Sequence, residues 1–488
     1  LFSFQPKEVL CEKRYYKEFC ELFGNKFYTY KLDDWIFTYE NAENKLLKHF
    51  NTLSLKGFGI SELKYGIIAA GALLQYLEMN EQHNLAHINS ISRIDEEKYV
   101  WLDKFTIRNL ELFQPIHENG KSLINIIDRT LTPMGGRMMR RWLAMPLKEI
   151  EPIEERLDIV SFFIQNPEFK ELLEENIRVI GDLERLTTKI AIQRVNPREI
   201  VQLKKALISI NNLIQIAKKT ENQIIKRLFE QLNSCTSIIE RIENEITSEP
   251  PASIGKGAVI KDGVNEELDE LRNIRNKGKE FLASLQEKES IRTGIPSLKV
   301  NFNNVFGYYI EVRNTHKDKV PIDWIRKQTL VNAERYITPE LKQYEEKILG
   351  AEERIISLET ELFQKLVLSL SEYIQAFQIN SSIISKIDCL CSFATISIEN
   401  SYVRPSINDS LNIEIEEGRH PVIEKQLPPD KSYVANNISL SSDEQQIIIL
   451  TGPNMSGKSA LLRQTALIII MAQIGCFVPA KSASIGIV

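Results

Sequence analysis

Eight consecutive residues near the end of the chain have the types and spacing needed to bind the phosphates of a nucleotide. They fit the pattern G-x-x-x-x-G-K-[ST] and are Gly452, Pro453, Asn454, Met455, Ser456, Gly457, Lys458 and Ser459. The glycines allow the backbone to close around phosphate groups without a Cβ in the way. Lys458 is expected to reach the outer phosphates, and the Ser459 hydroxyl is expected to take one Mg²⁺ position.

The residues on either side predict the elements that such a loop requires. The apolar run 447–450 predicts a strand buried on both faces of a parallel sheet, and residues 460–474 predict a helix. A loop between them points successive backbone N–H groups at an anion, and the positive end of the helix dipole adds to their effect. A chance match in an ordinary strand-turn-helix is the alternative, but the pattern and its context agree.

Composition limits the possible functions. The 488 residues suffice for several domains, and 61 basic against 66 acidic side chains give a formal net charge of −5. The overall charge therefore does not indicate a nucleic-acid binder, and any contact with DNA must come from a local basic patch. The six cysteines lack the spacing of a zinc site, which predicts reduced thiols in a cytoplasmic protein. The apolar run 466–474 is too short to span a bilayer, so no membrane contact is predicted.

Both ends of the chain resemble the interior of a domain. Residues 1–6 do not begin with methionine, and the last four residues, 485–488, are an apolar run that ends without a polar tail. We therefore expect the chain to be cut at both ends.

The first half of the chain predicts two regions. Residues 1–110 mix strand-like and helical runs, with strands predicted at 35–39 and 99–103 and a helix rich in small residues at 66–77. Residues 111–263 are almost wholly helical by pattern. Together they predict an α/β domain followed by a helical core.

Three arginines, Arg137, Arg140 and Arg141, follow a helix break in this helical region. They indicate either a basic contact for a partner or phosphate, or a helix whose arginines form ion pairs with acids such as those in 151–155. We favour the ion pairs.

The next segment predicts a helix followed by a small sheet. An apolar stripe from Val264 to the stop at Thr293-Gly294 indicates an amphipathic helix, which at 1.5 Å per residue would be roughly 40 Å long. Alternation at 298–312 predicts a β-hairpin with a turn at Asn303-Asn304. A further strand is predicted within 324–336.

A second long helix is predicted after this sheet. Thr338 and Pro339 have the types of an N-cap and a first helical residue. Apolar residues then step by three and four, which indicates a heptad seam, and a helix continuing to Phe377 would be roughly 60 Å long. The two helices and the sheet predict an antiparallel coiled-coil arm with a β tip.

The predicted tip is basic within an acidic chain. From 299 to 335 there are seven basic and four acidic residues. Such a patch fits contact with a nucleic-acid backbone, but charge alone favours a solvated face with scattered lysines. The candidate DNA-backbone residues are Lys299, Arg313, Arg326, Lys327, Asn332 and Arg335.

Several local strings, in this order along the chain, resemble the MutS family of DNA mismatch-repair ATPases. They are TPMGGR at 132–137, FGYYI at 306–310, QTLVNAERY at 328–336, EGRHPV at 417–422, and GPNMSGKS at 452–459 with RQTA at 463–466. The resemblance covers essentially the whole chain.

The resemblance implies a mixed, multidomain fold in five parts. These are an α/β connector domain at 1–110, lever and core helices at 111–263, an inserted clamp arm with a β tip at 264–355, a returning lever helix at 356–405, and the start of a P-loop α/β ATPase domain at 406–488. It implies ATP or ADP with Mg²⁺ as cofactors.

Further functional roles follow from the same resemblance. Tyr433 stands where the family has an aromatic residue that stacks on adenine, although a core aromatic at a strand end is the alternative for this residue. The clamp implies contact with the backbone of double-stranded DNA, and the family implies recognition of mismatched DNA, a homodimer and a downstream MutL-type repair factor. The implied activity of the whole protein is that of a DNA-dependent ATPase that works as an ATP-gated DNA clamp.

Departures from the family pattern limit what this chain is expected to do. The N-terminal domain with its Phe-x-Glu wedge, the acidic Walker B strand, the signature segment and the C-terminal dimerisation helices have no counterpart in the sequence. We therefore expect this chain by itself neither to discriminate mismatches nor to hydrolyse ATP at a useful rate.

Three other functions fit part of the pattern. One is a MutS-like ATPase that acts on recombination junctions, and the connector-like residues 1–110 favour the repair branch over it. Another is a structural coiled-coil chromosome ATPase, whose arm would be longer and lack a β tip. A small-molecule kinase is disfavoured, because no substrate-binding residues accompany the phosphate loop.

Overall fold

The computed structural model of the chain describes residues 6–80, 85, 87–303, 307–428, 430–453 and 457–488, the side chains of 96 and 278–280 excepted. Four residues of the predicted sites therefore lie outside the described residues: Asn304 of the hairpin turn, and Asn454, Met455 and Ser456 of the phosphate loop.

Short strands and helices begin the chain, and helices alone follow up to residue 245. These elements are β1 (Glu8–Glu12), α1 (Tyr16–Phe23), β2 (Tyr28–Leu32), α2 (Tyr39–His49), α3 (Lys64–Met79), α4 (Lys104–Asn109), α5 (Leu123–Ile127), α6 (Pro133–Ala144), α7 (Ile150–Gln165), α8 (Pro167–Ile180), α9 (Leu183–Ala191), α10 (Pro197–Lys218), α11 (Gln223–Glu230) and α12 (Thr236–Glu245). The remaining elements are α13 (Glu266–Thr293), β3 (Lys299–Asn303), β4 (Gly307–Arg313), β5 (Ile325–Thr329), β6 (Ala333–Ile337), α14 (Pro339–Leu370), α15 (Ile374–Asn400), β7 (Ser406–Asn408), β8 (Ile413–Gly418), β9 (Asn436–Leu440), α16 (Lys458–Gln473) and β10 (Ser482–Gly486).

The chain divides into two compact units. The body unit comprises Leu1–Arg194, Lys205–Cys235 and Glu372–Val488, and the arm unit comprises Val195–Lys204 and Thr236–Ser371. The fold is therefore multidomain and mixed α/β, as predicted. The residue bounds of the five predicted domains stay a prediction.

In the N-terminal part of the body unit, β1 and β2 pair in parallel, with Glu8 opposite Tyr28. The predicted helix at 66–77 lies within α3, which packs on α2. A Cβ on Gly71 would come within 2.5 Å of Ala42, so this glycine allows the two helices to approach closely.

The strand predicted at 35–39 is wrong. Asp34–Phe37 forms a short 3-10 helix, and α2 begins at Tyr39. Ile36 is buried beside Leu32 of β2 and Ala72 of α3. The aromatic and β-branched residues of 35–39 suit a strand, but they form a helical turn here because Ile36 packs on β2 and α3.

The strand predicted at 99–103 is also wrong. Tyr99 forms only an isolated antiparallel bridge with Leu147. Asp103 instead caps α4, because its side chain accepts a hydrogen bond from the Thr106 N–H (2.6 Å).

Helix α15 lies at the centre of the helical part of the body unit and contacts α6, α7 and α9. Its buried Asp388 carboxylate accepts hydrogen bonds from the N–H groups of Leu131 (2.8 Å) and Thr132 (2.9 Å) and from the Thr132 hydroxyl (2.7 Å). A Cβ on Gly135 would lie 2.2 Å from this carboxylate. Residues 132–137 therefore form the start of α6, and the buried Asp388 carboxylate packs against this helix start.

The prediction of an ion pair for Arg137 is confirmed, but with other acids than those in 151–155. Its guanidinium bonds to Asp182 and Glu184, both at 2.7 Å, at the start of α9. The partner acids are distant in the sequence, so helical spacing alone could not identify them.

The arm unit consists of two long helices and a four-stranded sheet. Phe281 stacks on Tyr344 (3.5 Å between centroids), whereas Arg272, earlier in α13, reaches Glu359, later in α14, so the helices are antiparallel. The sheet is antiparallel in the order β3-β4-β6-β5, and the predicted hairpin of β3 and β4 is confirmed. The single strand predicted within 324–336 is instead a second hairpin, β5 and β6.

The predicted N-cap of α14 is confirmed, but its predicted end is not. Thr338 accepts a hydrogen bond from the Leu341 N–H (3.1 Å), and Pro339 is the first helical residue. The helix ends at Leu370 rather than Phe377, and the 3-10 turn Ser371–Tyr373 separates it from α15. By length and composition the stretch Pro339–Asn400 could cross a membrane, but 78% of its apolar window is buried within the protein, as core helices also are.

Candidate functional site

The phosphate loop leads directly into α16, the helix predicted at 460–474. Gly457, immediately before the helix, has φ +89°, and Gly452 has φ +153°, both in the region that favours glycine. The Lys458 ammonium donates a hydrogen bond to the Gly452 carbonyl across the loop. Lys458 and Ser459 therefore stand in the first turn of a sixteen-residue helix, where N–H groups and the helix dipole favour an anion.

The strand predicted at 447–450 is wrong in this structure. These residues have no strand structure, and Ile447 and Ile449 are 80% and 83% exposed. The nearby sheet has the order β7-β10-β8-β9, with β10 parallel to β7 and antiparallel to β8. An apolar run becomes a buried strand only where neighbouring strands pair with it, and among the described residues no strand does so.

Tyr433 lies beside α16, so the structure brings this predicted residue to the helix of the phosphate loop. Its hydroxyl donates a hydrogen bond to Gln464 Oε1 (2.9 Å), and its ring centroid lies 6.5 Å from that of His420. Burial, with a smaller effect of Glu424, raises the pKa of the phenol. The phenol therefore acts as a hydrogen-bond donor at neutral pH.

The turn after β8, part of the string at 417–422, contacts Tyr433 through His420. His420 is only 4% exposed, and its Nδ1 accepts hydrogen bonds from the N–H groups of Val422 (3.3 Å) and Ile423 (3.2 Å). Burial and the nearby Arg463 guanidinium lower the pKa of His420 to about 4. The imidazole is therefore neutral at pH 7, with its proton on Nε2.

Arg419, the residue before His420, ties the same turn to neighbouring parts of the chain. It donates to Glu424 (2.9 Å) and to the Asn400 carbonyl (3.1 Å), and Glu424 also accepts from the Tyr402 hydroxyl (3.0 Å). Sequence reasoning identified this string but assigned no roles to His420, Arg419 or Gln464. Gln464 meets Tyr433 from 31 positions away and Arg419 reaches the Asn400 carbonyl from 19 positions away, so helical or strand spacing could not indicate these contacts. The bonds of His420 to Val422 and Ile423 are local, but no sequence pattern that we used marks them.

The C-terminal end of α16 is fixed to the helical core of the body unit. The Arg156 guanidinium donates to the Ile474 carbonyl (2.8 Å) and lies over the Trp142 ring (3.6 Å to the centroid). Burial lowers the pKa of Arg156 to about 10, so the group remains a cation at neutral pH. Because a cation is favourable at a helix C-terminus, Arg156 stabilises the end of α16 opposite the loop.

Some of the predicted DNA-contacting residues of the arm tip are exposed, whereas others bond to residues of the sheet. Lys299, Arg313, Lys327 and Asn332 are exposed. Arg326 bonds to Glu334 (3.3 Å).

Arg335 is the candidate least able to reach a ligand. It is partly buried, bonds to Glu311 (3.3 Å) and Gln328 (2.8 Å), and lies over the Tyr309 ring (4.3 Å to the centroid). The side chain therefore stabilises the outer face of the sheet.

Fold and site together define a multidomain α/β protein with a phosphate-binding loop motif and a separate helical arm. Family models match three parts of the chain: MutS domain II at residues 1–89, MutS domain III at 105–394 and MutS domain V at 448–488. The chain belongs to the MutS family, which confirms the resemblance inferred from the sequence.

Three similar curated proteins are each named DNA mismatch repair protein MutS. Those of Bacteroides thetaiotaomicron, Christiangramia forsetii and Porphyromonas gingivalis are 58%, 55% and 51% identical over all 488 residues of this chain. The chain spans 57%, 56% and 55% of their lengths, that is, little more than half of each relative.

Proposed function

We propose that this chain is the part of a DNA mismatch-repair ATPase that connects an Mg·ATP or Mg·ADP site with a DNA-contacting arm. The observation that carries the proposal is the identity of 51–58% with proteins named DNA mismatch repair protein MutS. These names also favour mismatch repair over the recombination and chromosome-scaffold alternatives.

The residues of the phosphate loop fit a nucleotide. In the described part of the chain, the Lys458 ammonium bonds to a backbone carbonyl and to no carboxylate, so a phosphate can replace that contact without breaking an ion pair. The described residues of the loop are exposed or partly exposed, and its two glycines have positive φ angles, which allow the backbone to turn without a Cβ in the way. In the bound state Lys458 would neutralise the outer phosphates, Ser459 would hold Mg²⁺, and the start of α16 would orient the phosphates.

In this proposal, the tip of the arm unit is the part that contacts DNA. The exposed Lys299, Arg313 and Lys327 would bind phosphates without reading sequence, as expected of a patch that offers charge rather than paired donors and acceptors. Recognition of mismatched DNA, a homodimer, a MutL-type partner and a cytoplasmic location stay proposals that follow from the family.

The Lys458→Ala variant tests the nucleotide site. Loss of a charge-assisted hydrogen bond to phosphate should weaken binding of a fluorescent ADP by roughly 10- to 100-fold. The matched control is Lys365→Ala, which removes an exposed helical lysine of the arm unit. Equal affinities of Lys458→Ala and the unaltered chain in a fluorescence titration would contradict the assignment.

A further inference from the structure

We propose that Gln464 is a positioning residue for the nucleotide base, because it fixes the Tyr433 ring relative to the phosphate loop. The inference rests on the proposed function of that loop as a nucleotide site. It adds a residue that neither the phosphate-loop pattern nor the aromatic position indicates.

The first observation is the place of Gln464 on α16. It is fully buried, and its Oε1 accepts the hydrogen bond from the Tyr433 hydroxyl (2.9 Å). It follows Lys458 by six residues, or about 9 Å along the helix axis. One rigid element therefore carries both the lysine for the phosphates and the acceptor that orients the aromatic ring.

The second observation is the packing of the ring itself. Tyr433 is partly exposed, its ring lies against His420 at an interplanar angle of 55°, and its hydroxyl is bound by Gln464. His420 is fixed in turn by two backbone N–H groups. The ring is therefore oriented before a ligand arrives, which lowers the entropy lost on binding.

The third observation concerns the amide end of Gln464. Its Nε2 is buried and has no hydrogen-bond partner among the described residues. A Cβ on Gly418 would lie 2.7 Å from this nitrogen, so the amide packs against the glycine backbone. A leucine or methionine would fill this space without a buried unpaired donor. What the glutamine adds over an apolar residue is its contact with Tyr433.

The test compares a ligand that has a base with one that lacks it. Gln464→Met removes the acceptor, and Tyr433→Phe removes the donor but keeps the ring. Each variant should weaken ADP binding by about threefold to tenfold, the effect of one hydrogen bond. Pyrophosphate, which occupies only the phosphate loop, should bind with unchanged affinity. The double variant should lose no more than either single variant, because both remove the same bond.

Gln473→Met is the matched control. Gln473 lies on the same helix, is buried, and donates to the Leu147 carbonyl (2.8 Å) at the opposite end from the loop. The Gln473→Met variant should leave the ratio of ADP affinity to pyrophosphate affinity unchanged. Titration calorimetry of all variants, with thermal melts to compare folding, provides these values.

Two results would overturn the inference. One is an unchanged ADP affinity in both Gln464→Met and Tyr433→Phe, and the other is an equal loss of ADP and pyrophosphate binding, which would indicate a general distortion of α16. Failure of the proposed function gives a different result, namely ADP and pyrophosphate binding that is absent or insensitive to Lys458→Ala.

Discussion

At the scale of single residues, the site depends on a histidine that is kept neutral. His420 uses Nδ1 as an acceptor for two backbone N–H groups, and its ring lies beside Tyr433. Burial, together with the charge of the Arg463 guanidinium, lowers the pKa of His420 to about 4. A protonated ring could not accept these bonds. Acid should therefore disrupt the turn that supports Tyr433.

We expect His420 to make the body unit less stable below pH 6.5. Its pKa falls from the usual 6.5 to about 4 on folding, so between these values the unfolded chain binds a proton that the folded chain does not. The free energy of unfolding should therefore decrease as pH falls, by about 2 kcal/mol from this residue at pH 5.

Urea unfolding at neutral pH and at pH 5 measures this contribution. His420→Gln removes the titrating group and should show a smaller acid-induced loss of stability than the unaltered chain. His316→Gln, in the arm unit, is the matched control and should not change the loss. An identical pH dependence of His420→Gln and the unaltered chain would contradict the assignment.

At the scale of elements, a buried ion pair joins the first part of α13 to the last part of α14. Arg272 of α13 donates to Glu359 of α14 (2.7 Å) and to the Ile260 carbonyl (2.8 Å). Glu359 is 2% exposed and also accepts from the Val259 N–H (3.1 Å). The pair therefore fixes the position of α13 relative to α14.

Arg272→Met should destabilise the arm by about 3–5 kcal/mol, because it leaves the Glu359 carboxylate buried without its cation. Adding Glu359→Gln should restore much of that loss, since the neutral side chain can still accept from Val259. Hydrogen exchange of α13 and α14, followed by mass spectrometry, measures both effects.

An exposed pair between the same helices serves as the control. The Arg354 guanidinium and the Glu267 carboxylate lie 2.8 Å apart at the surface. Arg354→Met should change the exchange of the two helices far less than Arg272→Met, because water screens an exposed ion pair. Equal exchange rates in Arg272→Met and Arg354→Met would show that the buried pair does not stabilise the arm.

Sequence patterns predicted the elements whose signals are local. The hairpin of β3 and β4, the Thr338 cap, the heptad stripe and α16 follow from spacing and side-chain type within one segment. The break at Ser371–Tyr373 could not be predicted in this way, because the apolar residues Leu370, Ile374 and Phe377 continue a helical period across it.

Features that depend on partners far away in the sequence were either not predicted or predicted wrongly. The apolar run 447–450 predicted a strand, but strand formation requires neighbours that the run itself does not specify. The contact of Gln464 with Tyr433 joins residues 31 positions apart, and that of Arg156 with Ile474 joins residues 318 apart. The motif identified the phosphate loop, whereas the residues that orient its surroundings required the fold.

At the scale of the whole molecule, the proposed DNA contact requires a local basic patch on an acidic chain. The net charge is −5, yet the tip of the arm unit exposes Lys299, Arg313 and Lys327. Because phosphate contacts are local, the proposed binding of a duplex by this patch does not require an overall basic protein.

Reversing two of these charges should weaken duplex binding and its dependence on salt. Lys299→Glu with Arg313→Glu removes two cations, so the slope of log K against log salt should fall by about 2. The control, Lys277→Glu with Lys365→Glu, changes the net charge equally on the long helices of the arm. Fluorescence anisotropy at several salt concentrations measures the slope, and equal slopes for the two double variants would contradict a specific role of the tip.

The central claim is that the nucleotide is bound by the loop before α16 and DNA by the arm tip. Titrating Mg·ADP and a short DNA duplex separately into the unaltered chain, Lys458→Ala, and Lys299→Glu with Arg313→Glu tests it most directly. We expect Lys458→Ala to lose ADP binding and keep duplex binding, and the arm variant to show the reverse. Loss of ADP binding in the arm variant alone, or no change in either variant, would contradict the assignment.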